Sequence, residues 1–315
     1  MTGSAAALAV LALIAAPAGA QQPPVFPVGL DLVNVTVTVR DARGGLVGDL
    51  AEKDFELLED GRPQRIQLFA PASSPEERAE LALNLGMLFD TSESMHNALK
   101  LSQQSAIRFL DAIPRARDLV LVFFDRDIRL SRYSSENQQG IFERILETKG
   151  MGETALLDAI TVYISRVADT PGRKVLVLYT DGDDTTSRMP PQEVMRLVRS
   201  TEVTIYPVAF VGDQSPNSAA ALRARALLHG LADATGGRVF EPGASKDLAA
   251  IYQSILDELG SQYVLGYVSD NLRRDGKFRT ITVRLKPTGL KVRHRPGYHG
   301  PQDPTPPTSR QAAKK

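Results

Sequence analysis

The sequence has no cysteine and no tryptophan. Without cysteine there are no disulfides, no thiolate zinc sites, no cysteine nucleophile and no cysteine to carry a lipid anchor. Histidine is scarce: His96, His229, His294 and His299 are the whole set, and none of them pair at metal-ligand spacing within one helix. A zinc site built from histidines is therefore not expected. Neither sign of charge is in excess, since 37 Lys and Arg offset 37 Asp and Glu. A neutral chain gives no general reason to expect binding to nucleic acid or to an anionic membrane surface. No segment after the first twenty residues approaches the run of about 18 apolar residues that marks a membrane span. What is present is globular: 43% hydrophobic and 23% charged residues over a length of 315, enough to bury real cores in two domains of about 100–200 residues each.

The first twenty residues are uncharged, and an apolar run extends from Ala5 to Ala16 before Pro17 breaks it. Ala18-Gly19-Ala20 then supplies small residues of the kind a signal peptidase accepts. Residues 1–20 are thus expected to be a signal peptide cleaved before Gln21, because the run is too short for a hydrocarbon core of about 30 Å. The mature protein is expected to be exported, periplasmic or extracellular, with no stable insertion in a membrane. At the other end, residues 300–315 carry four prolines and no apolar periodicity, the composition of a disordered tail.

Between these ends the hydrophobic pattern changes twice. Val33, Val35, Val37 and Val39 alternate with polar residues, the period of a strand with one buried and one wet face. Phe55 to Phe69 alternates too and is split at Asp60-Gly61, a dipeptide suited to the positive φ of a hairpin turn. Ile281, Val283 and Leu285 alternate, as do Leu290 and Val292. Neither end has strands enough for its own core. The β segments at 28–72 and 261–299 are therefore expected to pack together as one small sandwich-like module. The middle, 81–260, reads differently. Leu85–Phe89, Leu119–Phe124, Val175–Tyr179 and Val203–Val211 are near-continuous apolar runs, as in strands buried on both faces. Helical spacing falls between them, at Ala106, Phe109, Leu110 and Ile113 and at Leu248, Ile251, Tyr252 and Ile255, with Gly260 placed as a C-cap. The expected fold is α/β, a doubly wound, mostly parallel sheet. Asp125 and Asp127 serve a tight turn into a short antiparallel edge strand, Ile128–Leu130.

Ligands of an open parallel sheet bind beyond the carboxyl ends of its strands. Three loops at that edge are rich in side-chain oxygen: Asp90-Thr91-Ser92-Glu93-Ser94, Gly150-Met151-Gly152-Glu153-Thr154 and Thr180-Asp181-Gly182-Asp183-Asp184. Alternation in an extended loop would point Asp90, Ser92 and Ser94 the same way, within reach of Thr154 and Asp181. Two carboxylates and three hydroxyls form a hard, all-oxygen site that suits Mg²⁺, or Mn²⁺ or Ca²⁺, and disfavours zinc. His96 reads as a first-turn helix residue, and Asp183 and Asp184 as solvated loop charges. Gly150-x-Gly152-x-x-Ala155 is no dinucleotide fingerprint, because a charged helical stretch precedes it where a buried strand is needed. No Gly-x-Ser-x-Gly elbow and no phosphate-binding Gly-Lys-Ser/Thr loop occurs.

In order and strand context, Asp90-x-Ser92-x-Ser94, Thr154 and Asp181 resemble the metal-ion-dependent adhesion site of von Willebrand factor A domains, over about residues 81–260. The flanking Val33–Val37 and Asp54–Leu57 segments and Gly297-Tyr298 resemble secreted proteins related to this domain that are common in acidobacteria. The resemblance implies that Ser92, Ser94 and Thr154 touch the ion, while Asp90 and Asp181 hold its waters and the serine hydroxyls. It also implies a partner protein whose Asp or Glu carboxylate completes the coordination, a binding role and no catalysis. Gly152-Glu153-Thr154 departs from the more usual Gly-Gly-Thr and sets a carboxylate beside the site. Two alternatives are an envelope scaffold and a Mg²⁺-dependent phosphohydrolase of the haloacid dehalogenase type using Asp90 as nucleophile. The second lacks an acid at position 92, and Lys174 lies at the wrong end of its strand to bind phosphate.

Overall fold

A computed structural model describes residues 32–71, 83–112, 118–134, 138–148, 150, 152–210, 217–242 and 247–303. The expected signal peptide at 1–20 and residues 304–315 of the expected tail lie outside the described residues. The chain opens with four strands, β1 (Leu32–Arg40), β2 (Phe55–Glu59), β3 (Arg62–Gln64) and β4 (Leu68–Ala70). An alternating series follows: β5 (Leu83–Asp90), α1 (His96–Ala112), β6 (Asp118–Phe124), β7 (Ile128–Ser134), α2 (Gln138–Glu147) and α3 (Leu156–Val167). It continues with β8 (Arg173–Thr180), α4 (Pro191–Ser200), β9 (Val203–Ala209), α5 (Ala219–Thr235) and α6 (Asp247–Gly260). The chain closes on β10 (Tyr263–Val268), β11 (Phe278–Leu285), β12 (Lys291–Arg293) and β13 (Gly297–His299).

The series forms one sheet in the order β7-β6-β5-β8-β9, parallel except for the antiparallel edge strand β7. Alternate residues of each strand enter different cores. Leu85, Met87 and Phe89 join Phe109, Tyr252 and Ile255 on one face, whereas Leu88, Leu176 and Leu178 join Leu157, Ile160 and Leu228 on the other. Both faces are covered by helices, which is why the strand sequences are apolar throughout. Gly260 is the last residue of α6, not a cap beyond it, so the expected C-cap is corrected: the helix runs straight into the Ser261 turn.

The terminal strands build two four-stranded sheets, β12-β1-β10-β4 and β13-β11-β2-β3. Val33, Val35, Val37, Val39, Phe55, Leu57, Leu265, Ile281 and Val283 share a single core, which joins strands from both ends of the sequence. The turn between β2 and β3 has φ of 47° at Asp60 and 77° at Gly61, the left-handed pair that a two-residue hairpin demands. One expectation holds only in part. The polar face of β1 is only partly wet: Asn34, Thr36 and Arg40 keep some exposure, but Thr38 is 2% exposed, because polar groups of neighbouring segments lie against that face. Gln262 donates to Thr38 Oγ1 at 3.3 Å, and Arg295 donates to the Asn34 carbonyl at 2.7 Å. Polar alternation looks the same whether the polar face meets water or a hydrogen-bonding neighbour. At the far end, Gln302 bridges to Asp275 and the Gly276 amide donates to the Pro301 carbonyl at 3.1 Å. The first residues assigned to the tail are thus held by the loop before β11.

Candidate metal centre

Phe89 is clamped between Phe123, with ring centroids 5.3 Å apart, and Tyr179, at 4.5 Å and an interplanar angle of 3°. Offset stacking of this kind fixes ring positions. It thereby sets where β5 releases the next residue, Asp90, at the carboxyl edge of the sheet. Asp90 is completely buried. Its Oδ1 accepts from the Ser92 amide at 3.0 Å and the Ser92 hydroxyl at 2.6 Å, and its Oδ2 accepts from the Thr180 hydroxyl at 2.6 Å. Ser92 Oγ lies 3.1 Å from Ser94 Oγ. Ser94 itself is exposed. The backbone is extended from Asp90 to Ser92, as alternation requires, whereas Ser94 is brought to Ser92 by a tight 3₁₀ turn, Glu93–Met95.

The other two loops are sewn to the first. The Glu93 amide donates to the Gly152 carbonyl at 3.1 Å. Thr154 is buried at 3% exposure, its amide donates to Thr185 Oγ1 at 2.9 Å, and its carbonyl accepts from the Thr185 and Thr186 amides. Asp181 is 8% exposed, and its Oδ1 accepts from the Asp183 amide at 3.1 Å. Gly182, with φ of 83°, supplies the left-handed turn that carries the chain from Asp181 towards Asp183. Among the described residues, Thr154 and Asp181 make no hydrogen bond to the two serines. They stand on adjoining loops of the same edge.

Burial pushes the Asp90 carboxyl up to about 7, and the nearby Asp181 charge adds to the rise against the hydrogen bonds from Ser92 and Thr180. No lysine or arginine pairs with Asp90 or Asp181 among the described residues. A buried carboxylate without a cation is costly, and a positive charge beside Asp90 would relieve that cost. The donors on offer are oxygen alone, and no cluster of three or more His, Cys, Asp or Glu occurs among the described residues. That set fits a hard divalent ion held partly by neutral hydroxyls.

The sequence profile of the von Willebrand factor type A domain matches residues 84–254, more than half of the chain. The chain belongs to this family. Solved structures similar to it include a von Willebrand factor type A protein from Catenulispora acidiphila, at 12% identity over 88% of this chain and 76% of that one, with a TM-score of 0.48. An aerotolerance-related membrane protein from Bacteroides fragilis matches at 13% identity over 56% of this chain and 98% of that one, TM-score 0.45. Proximal thread matrix protein 1 from the mussel byssus, solved with zinc in its MIDAS motif, matches at 17% identity over 59% and 47%, TM-score 0.43. Comparison with curated proteins finds no match.

Several residues that shape the edge of this von Willebrand factor A domain escaped the sequence reading. Thr180 holds the second oxygen of Asp90, and its Oγ1 also accepts from the Gly182 amide at 3.0 Å. Asp184, expected to be a solvated charge, instead accepts from the Leu157 amide at 3.2 Å and from the Ser187 hydroxyl, so it caps α3 from another loop. The spacing Asp184-x-x-Ser187 was the available signal. Asp125 does serve its turn, accepting from the Asp127 amide at 2.8 Å. It also binds Thr91 Oγ1 at 3.1 Å and pairs with Arg129 at 2.6 Å. Burial alone would raise the Asp125 carboxyl, but Arg129 and the Asp127 amide hold it below the ordinary range. His96 is exposed and opens α1, and Glu153 is exposed beside Thr154.

Proposed function

We propose that this protein is an exported binding protein whose von Willebrand factor A domain captures a partner through a Mg²⁺-class ion. The observation that carries the reading is the buried Asp90 carboxylate, hydrogen-bonded to Ser92 and Thr180 and paired with no basic residue among those described. In this reading Ser92, Ser94 and Thr154 hold the ion, and Asp90 and Asp181 orient the hydroxyls and the ion's waters. When bound, the ion supplies an electron-poor position that accepts one carboxylate oxygen. Neutral hydroxyls are the right supports, because direct ligation by both aspartates would cancel the charge that attracts a partner's Asp or Glu.

Asp90 has no exposed surface and its two oxygens already accept three hydrogen bonds. A nucleophile must be reachable in line with its target, so this burial supports binding over phosphoryl transfer. Lys174 lies at the start of β8, away from Asp90 at the end of β5, with its Nζ 3.8 Å from Glu202. Among the described residues no helix is long and apolar enough to cross a membrane. The test is calorimetric titration of Mg²⁺ and of Mn²⁺ into the purified protein and into Asp90→Asn. The expected result is saturable heat for the former and none for the latter. Equal heats from both proteins would remove the site.

A further inference from the structure

We infer that Arg40, Arg238 and Arg293, with Lys291 beside them, form a binding site for a phosphate-class oxyanion at the seam between the β module and the amino-terminal edge of the parallel sheet. Three guanidinium groups converge there on one carboxylate. Glu258, on α6 and fully buried, meets Arg40 Nη2 at 3.0 Å and Arg238 Nε at 3.3 Å through Oε2, and Arg293 Nη2 through Oε1. Tyr206 fills the remaining position on Oε1 at 2.7 Å. One negative charge cannot balance three positive ones, so two are uncompensated.

The strand register deepens the imbalance. Lys291 lies directly opposite Arg40 in the antiparallel β1–β12 pair, and Arg293 opposite Thr38. Partners in such a pair share a face, and like charges there repel. The nearby carboxylates are engaged elsewhere or exposed. Asp41 accepts from the Arg43 and Gly45 amides of its own turn, Asp257 accepts from Gln253, and Asp233 forms no ion pair among the described residues. Burial and the Arg40 and Arg293 charges pull the Arg238 guanidinium below its ordinary range despite Glu258.

The cluster is both reachable and poised. The side chains of Arg40, Arg238 and Arg293 are 27%, 34% and 28% exposed, against 0% for Glu258. Arg40 Nη1 is held by the Gly44 carbonyl at 2.7 Å, Arg293 Nε by the Gly236 carbonyl at 3.0 Å, and Arg238 lies over the Phe240 ring at 4.2 Å. Besides Glu258, each guanidinium is thus fixed by one further contact, while both terminal nitrogens of Arg238 and Nη1 of Arg293 donate to nothing among the described residues. Planar forks with free donors match the oxygens of a tetrahedral dianion better than a single carboxylate does. The dianion's charge also matches the surplus.

The experiment uses the full chain in chloride buffer. Inorganic phosphate is titrated by calorimetry, and flotation is measured with phosphatidylcholine vesicles with and without phosphatidylglycerol. The expected result is saturable phosphate binding weakened by about tenfold in Arg238→Gln, the loss of one charge-assisted contact. Lys291→Gln should weaken it less, and Arg284→Gln, on an exposed strand position, should leave it unchanged. Arg238→Gln and Lys291→Gln spare the pairs that Glu258 makes with Arg40 and Arg293, so both keep the fold. Flotation with phosphatidylglycerol that Arg238→Gln abolishes, in place of free phosphate binding, supports the site with a lipid headgroup as the phosphate source. No binding in either arm, or binding by Arg238→Gln equal to that of the unaltered chain, overturns it.

Discussion

The two ends of the parallel sheet carry opposite electrostatic problems. At the carboxyl edge, Asp90 and Asp181 sit among hydroxyls with no basic partner among the described residues. At the amino edge, Glu258 and Glu202 are outnumbered by Arg40, Arg238, Arg293, Arg295 and Lys174. The formal net charge is zero, yet that neutrality is an average over two edges of opposite sign. Charge totals bear on solubility and on non-specific association. They say little about a site, because a buried charge responds to neighbours within a few ångströms and is hardly screened.

The largest effect separating the two edges should come from the same change made at each. Glu258→Gln removes the charge that holds three arginines and should cost about 3–5 kcal/mol of stability in urea unfolding. Asp90→Asn in chelator should cost no more than about 1 kcal/mol, since its hydrogen bonds to Ser92 and Thr180 are only weakened. Comparable costs would mean that the edges do not differ in kind. The next effect sharpens the metal side: saturating Mg²⁺ should stabilise the unaltered protein by about 1–3 kcal/mol through mass action and Asp90→Asn not at all, as thermal melts would show.

Ser94→Ala tests the same edge more gently. Its side chain is exposed, so stability in chelator should stay within about 0.5 kcal/mol, while Mg²⁺ affinity measured by calorimetry falls. The smallest effect belongs to the amino edge. Burial, with the Arg295 charge, pulls His294 below the ordinary imidazole range, and its Nε2 accepts from the Val283 amide at 3.2 Å. A base with a lowered folded pKa binds its proton more readily when unfolded. Stability from this group is therefore complete above about pH 6.5 and lost as the pH falls from there through the lowered value. Unfolding free energies at pH 7.5 and 5.5 should show this slope, and His294→Gln should flatten it.

Much of the fold was legible because each strand class leaves its own pattern. Apolar runs such as Val175–Tyr179 need helices on both faces, and alternation such as Val33–Val39 needs a single buried face. β10 was not legible as an alternating strand, since Tyr-Val-Leu-Gly-Tyr-Val has no period of two. At the carboxyl edge, the place of Asp90, Ser92 and Asp181 at strand ends was readable. Thr180 was not, because its partner Asp90 is 90 residues away and a strand-end threonine is ordinary. Asp184 likewise looked like any loop charge until the amide of Leu157 was seen beneath it.

By itself the sequence determined which segments are buried on two faces, which on one, and where the oxygen-bearing loops leave the sheet. Those are local properties, written in the periodicity of apolar residues and in turn chemistry. Only the tertiary structure decided what the polar residues meet. It buried Thr38 on the otherwise half-exposed polar face of β1, and it gathered arginines from β1, the segment after α5 and β12 around one glutamate on α6. Periodicity records that a side chain is polar, but its energy depends on whether the group facing it is water, a hydroxyl or a charge, and that is fixed by contacts hundreds of residues apart.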